Sequence, residues 1–170
     1  MVDANGAYSL GEAGRRGAQL DDLGVLWFEE PVSSDDVAGL GELRLRLRCD
    51  VAAGEYISDL YDAARLLPVV DCLQLDATRC GGYTGFLAGA ALAASANWEV
   101  SAHCAPSLHA PVALAVPNVR HVEWFADHAR LEPVLLDGVP VVEDGLLSVT
   151  GDAPGHGMTL SDRGADFRIA

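Results

Sequence analysis

The stretch Val25-Leu26-Trp27-Phe28-Glu29-Glu30-Pro31 sets the reading of the whole chain. Four successive large apolar residues read as a short buried strand. Two carboxylates and a proline end it, because proline cannot continue a hydrogen-bonded ladder. The pattern recurs on both sides. Met1-Val2 runs into Asp3, Asp50 to Ala53 into Gly54-Glu55, and Cys72-Leu73-Gln74-Leu75 into Asp76. Val100-Ser101-Ala102 runs into His103, and His121-Val122 into Glu123. The closing polar residues stand at 3, 29, 55, 76, 103 and 123, between 20 and 27 residues apart.

Helical periodicity fills the intervals. Ser9 to Leu23 carries Leu10, Ala13, Ala18 and Leu20. Ser34-Asp35-Asp36 caps a helix through Leu47, and Ser58-Asp59 caps one through Leu67 that Pro68 stops. An alanine-rich helix runs from Thr84 to Ala96 with Asn97 as its stop, and a shorter one from Pro106 to Val116 ends at Pro117. Alternation of strand and helix predicts α/β structure from parallel units. Regular delivery of a polar residue at each strand end suits a TIM-type (β/α) barrel. An open doubly wound sheet would present a glycine-rich phosphate loop, and Gly81-Gly82 and Gly85 do not fit one. The six units fall short of the eight strands and roughly 250 residues of a closed barrel. The sequence therefore predicts a partial barrel over residues 1–130. Residues 131–170, with short Val/Leu runs among Gly, Pro and Asp, are expected to form an irregular, partly β tail. That tail would pack on the barrel or on a domain absent from the chain.

Composition narrows the function. Of 170 residues, 25 are acidic and 11 basic, giving a net charge of −14, and every basic residue is arginine. With no lysine, the chain offers no Schiff-base or phosphate-loop lysine. The acidic balance argues against nucleic acid. The longest candidate apolar span, Gly85 to Ala96, is too short for a bilayer, so no membrane role is expected. Without a basic-then-apolar leader, and with four cysteines that form no C-x-x-C pair, the reading is a cytoplasmic protein with buried reduced thiols. Trp27, Trp98 and Trp124 read as core. His109, His121 and His128 with Cys80 and Cys104 fit no zinc spacing.

On a barrel the strand-end residues converge on one rim. Asp3, Glu29 and Glu55 would repel one another there, and a hard divalent cation removes the conflict. All-oxygen donors suit Mg²⁺. Asp76 and His103 end adjacent strands, where a carboxylate fixes the imidazole tautomer and makes a usable acid or base. Glu123 either bonds a substrate carboxylate, serves as an acid, or is a surface residue.

Taken together, Val2-Asp3-Ala4-Asn5, Phe28-Glu29-Glu30-Pro31, Ala53-Gly54-Glu55, the run from Asp76 to Gly85, Ser101-Ala102-His103 and His121-Val122-Glu123 resemble the enolase superfamily. Its mandelate racemase subgroup, which includes many acid-sugar dehydratases, is the nearer likeness. The resemblance implies that the six strands are the third to eighth of the family's barrel. It implies Asp3, Glu29 and Glu55 as Mg²⁺ ligands, His103 as general base with Asp76 as its partner, and Glu123 as the group bonding the substrate carboxylate. Asn5 and Arg79 would stand beside the site. The implied reaction removes the proton α to a carboxylate through an enediolate, then expels a β-hydroxyl to give a keto-deoxy acid. Racemisation or epimerisation of a 2-hydroxy acid is the alternative outcome. The resemblance also implies a small carboxylate substrate such as an acid sugar, and a homo-oligomer for the complete protein. Asp76 stands where the muconate lactonizing subgroup has lysine. The first two strands, a basic second-strand motif and the capping domain have no counterpart here. The 170-residue chain alone is therefore expected to be inactive, or to be a non-catalytic relic.

Overall fold

The computed structural model describes residues 1–149 and 151–167. Its strands β1 (Val2–Asp3), β2 (Trp27–Glu29), β3 (Asp50–Ala53), β4 (Cys72–Leu75), β5 (Glu99–Ala102) and β6 (Val119–Val122) form one parallel sheet in chain order. Helices α1 (Leu10–Asp22), α2 (Val37–Arg46), α3 (Leu60–Leu66), α4 (Gly82–Ser95), α5 (Pro106–Ala113) and α6 (Ala126–Leu135) follow the strands in turn. The sheet curls. In a flat sheet β6 would lie roughly 14 Å from β3 and roughly 19 Å from β2. Instead Arg120 of β6 bonds Asp50 of β3 at 2.6 Å, and the rings of His121 and Trp27 lie 4.9 Å apart. A break in register between Val100 and Ser101 skips Arg120, and its guanidinium also takes Glu99 at 2.8 Å. This closes the inner face at the end of the strands opposite the candidate site.

The outer face carries the core. Leu73, Leu75, Val51 and Val100 of the strands pack on Leu40, Leu43, Phe86 and Ala90 of the helices. Gly89 lets α4 lie close to the sheet, since a Cβ there would stand 3.2 Å from Leu75. Helix starts follow the expected capping chemistry: Ser9, Asp36 and Asp59 accept backbone N–H groups at the heads of α1, α2 and α3. Asn97 takes the left-handed conformation that ends α4, with φ 61°.

Several expectations need correction. Leu26 is exposed and precedes β2; helix α3 ends at Leu66 ahead of Pro68, which lies in a 3₁₀ turn (Leu67–Val69) that follows. Helix α5 ends at Ala113, because Ala115 and Val116 turn back to carbonyls three residues earlier. Trp124 is exposed: it follows β6 in the loop before α6 and lines a cleft beside Val141. Helix α6, unforeseen, crosses residue 130 with Pro133 inside it. Beyond it, β7 (Leu136–Asp137) pairs with β10 (Thr159–Leu160), and β8 (Val141–Glu143) with β9 (Leu146–Ser148), both antiparallel. Among the described residues no helix is long and apolar enough to cross a membrane. The four cysteines are free, three of them buried.

Candidate active site

The sheet ladder continues past the strand ends and fixes the polar residues there. Ala4 donates to Glu29 O at 3.0 Å, Glu30 to Ala52 O at 2.8 Å, His103 to Leu75 O at 2.9 Å, and Glu123 to Ala102 O at 3.0 Å. Asp3, Glu29, Asp76, His103 and Glu123 are thus carried to one rim, each as the last residue of its strand or the next one on. Glu55 follows Gly54, whose φ of 135° and whose 2.4 Å gap from an added Cβ to Gln74 O leave room for no side chain. Glu29, Glu55, Asp76 and His103 are buried, and Asp3 is exposed.

Asp76 and His103 form the pair expected of them. Asp76 Oδ2 meets His103 Nδ1 at 2.9 Å, while Asp76 Oδ1 accepts the Thr78 amide and hydroxyl, each at 2.7 Å. Burial raises the Asp76 pKa, but hydrogen bonds from His103 and Thr78 outweigh it and hold the carboxyl well below its ordinary value. His103 Nε2 meets Glu55 Oε2 at 3.2 Å. Burial lowers the His103 pKa, and the hydrogen bonds to Asp76 and Glu55 overcome this, raising it to about 10. Glu55 also accepts Arg79 at 3.0 Å, and Arg79 lies over the Tyr56 ring. These partners outweigh burial and keep Glu55 below the ordinary glutamate range. Asn5 bonds both oxygens of Asp3.

Glu29 is the less satisfied acid. One oxygen accepts Trp27 Nε1 at 2.8 Å, and the other is buried with no partner. Burial, with Glu123 and Asp3 nearby, raises its pKa to about 7. Glu30, which the motif reading passed over, is also buried, with φ 35° and one unpartnered oxygen, and burial and the charge of Glu55 raise it to about 7. Glu123 accepts the Cys104 amide at 2.8 Å, and burial raises its pKa.

The three expected metal ligands share a rim, but Glu55 is turned onto Arg79 and His103. Among the described residues, the one group of His, Cys, Asp and Glu with donor atoms within 4.8 Å of one another is His103, Cys104 and Glu123. Sequence reading missed two further residues. Thr78 anchors Asp76, and its place two residues after a strand-end Asp was the available signal. His109 is fully buried beneath the rim, and nothing in its spacing marks it. Two clefts of about 520 and about 500 Å³ flank α6 and include none of the strand-end acids.

Carboxylates, an Asp–His pair and a further Glu thus gather at the C-terminal ends of the parallel strands, the face on which (β/α)-barrel enzymes carry their active sites. The chain belongs to the enolase C-terminal domain-like family, which matches residues 1–164. It is 30% identical over 168 residues to L-talarate/galactarate dehydratase of Salmonella typhimurium, covering 96% of this chain and 40% of that protein. It is 32% identical to 3,6-anhydro-alpha-L-galactonate cycloisomerase of Streptomyces coelicolor, over 94% of this chain and 44% of the relative. A mandelate racemase/muconate lactonizing enzyme-like protein from Rubrobacter xylanophilus superposes with a TM-score of 0.92 at 41% identity, covering 98% of this chain and 47% of that one. The chain therefore spans less than half the length of these relatives.

Proposed function

We propose that the barrel to which this chain contributes six strands removes the proton α to a carboxylate with the help of Mg²⁺, and that it dehydrates an acid sugar to a keto-deoxy acid. One observation carries the reading: the Asp76–His103 pair stands on the same rim as the carboxylates of Asp3, Glu29 and Glu55. The residues fit the metal. Glu29 offers a buried oxygen with no partner, and all three side chains are hard oxygen donors whose crowding a cation would relieve. Salmonella dehydratase crystals hold Mg with L-lyxarohydroxamate, which supports the same ion here. Bound by Asp3, Glu29 and Glu55, Mg²⁺ would stabilise the negative charge that develops on the substrate carboxylate as the α-proton leaves.

The chain's own residues do the rest. Asp76 holds His103 Nδ1, so Nε2 is the atom that takes the α-proton. Asp76, kept ionised by Thr78, stabilises the imidazolium. The β-hydroxyl then leaves with its bonding pair and receives the proton from His103 as water, and the resulting enol rearranges to the keto acid. Glu123, the further acid on this rim, hydrogen-bonds the substrate carboxylate. Asn5 and Arg79 orient Asp3 and Glu55. The 170-residue chain by itself is inactive in this reading, because among the described residues β1 and β6 each pair on one side only. Racemisation is the second reading, favoured by a 37% identity over 85 residues to N-succinylamino acid racemase of an Amycolatopsis species. It requires a second base from outside this chain.

The test is α-proton exchange in D₂O, with galactarate and Mg²⁺, in the protein with the remaining barrel strands present. His103→Asn is expected to abolish both exchange and keto-acid formation. Undiminished exchange would remove His103 as the base.

A further inference from the structure

His109 is a fully buried imidazole with no part in the steps above. Its ring sits on α5, 5.7 Å from the Phe86 ring, and both nitrogens are engaged by backbone. Nε2 faces the Ala77 amide at 2.8 Å, and Nδ1 faces the Cys104 carbonyl at 2.8 Å. An amide can only donate and a carbonyl can only accept, so the ring is neutral with its proton on Nδ1. It has therefore no proton to give Asp76 Oδ1, although that oxygen is 3.5 Å from Nε2.

Ala77 follows Asp76, and Cys104 follows His103. The ring thus spans the exits of β4 and β5 directly beneath the Asp–His pair. Cys104 also passes the restraint on. Its carbonyl accepts His109 while its amide donates to Glu123 at 2.8 Å. Cys104 and Ala105 hold φ values of 49° and 35°, a left-handed turn without glycine that must be kept in place by its surroundings.

We propose that His109 is a positioning residue that clamps three strand ends at once: Asp76 through Ala77, His103 through Cys104, and Glu123 through the Cys104 amide. The consequence for catalysis rests on the function proposed above, but the clamp itself can be tested without turnover.

The experiment is NMR on the protein, combining imidazole ¹⁵N shifts with amide hydrogen exchange. His109 is expected to show the neutral Nδ1–H tautomer. His109→Phe keeps a ring against Phe86 but removes both bonds. It is expected to speed exchange at Ala77 and Cys104 by about tenfold or more, while Leu73 and Val100 inside β4 and β5 keep wild-type protection. The Cys104 amide never touches His109, so its loss of protection reports the relay. His109→Asn, which places an amide donor near the Nδ1 position, should restore protection at Cys104 and not at Ala77. A protonated or Nε2–H ring, an unchanged Cys104 amide in His109→Phe, or loss of protection spread equally over Leu73 and Val100 would overturn the proposal. Loss of α-proton exchange with the clamp intact would count against the function and leave the clamp standing.

Discussion

Burial lowers the His103 pKa, and its bonds to Asp76 and Glu55 outweigh this in the metal-free protein. Its ring protons should titrate near the value of about 10 instead of the ordinary 6.5. Because the folded pKa is the higher one, its stabilising contribution is complete below pH 6.5 and is lost as pH rises towards 10. Asp76→Asn should bring the titration down, and a midpoint unmoved by that change would refute the pairing. Glu29 behaves oppositely to the usual carboxylate. Its pKa rises from 4.5 to about 7, so its ionisation costs stability as pH climbs through that interval. A bound cation cancels the cost. The gain in melting temperature from Mg²⁺ should therefore be larger at pH 8 than at pH 5, and an equal gain at both would contradict the assignment of Glu29. The strand-end acids and the histidine were legible as residues because each closes an apolar run. Glu30 was not, because adjacent carboxylates look alike in sequence and only the backbone at φ 35° shows that both are buried.

Among the elements, the junction of α1 with β3 depends on one side chain. Asp21 accepts the amides of Arg48 and Cys49 at about the head of β3, and these bonds outweigh burial to lower its pKa. Its contribution is present above the ordinary carboxylate range and is lost as pH falls through the lowered value. Asp21→Ala leaves both amides without this acceptor and should cost ~1–3 kcal/mol in denaturant unfolding. A loss near zero would show that water replaces the carboxylate fully. Helices α1 to α3 were readable because Ser9, Asp36 and Asp59 are strong caps. Helix α6 was not: no side chain caps it, proline lies within it, and it buries no residue fully. Its apolar side chains carry no one-sided pattern for a reader to find.

For the whole molecule, the barrel was legible in the regular strand-end spacing, and what ties its inner face together was not. Strand order could be inferred from alternation, but the inner face depends on Arg120, Asp50, Glu99 and Trp27 meeting across strands far apart in the chain. Arg120→Met removes the ties from β6 to β5 and to β3 while keeping bulk. It should lower stability by about 0.5–1 kcal/mol, since these ion pairs are partly exposed and screened by solvent. No change in thermal unfolding would mean that the curl is held by the outer core alone. The tail was legible only as texture, because strands of two or three residues carry too little pattern to predict. The central claim is that Asp3, Glu29 and Glu55 together hold a divalent cation at the rim. Calorimetric titration of the chain with Mg²⁺ tests it most directly. Saturable binding of one ion per chain is expected, lost in Glu29→Gln and in Asp3→Asn. No binding, or binding that survives both substitutions, would contradict it.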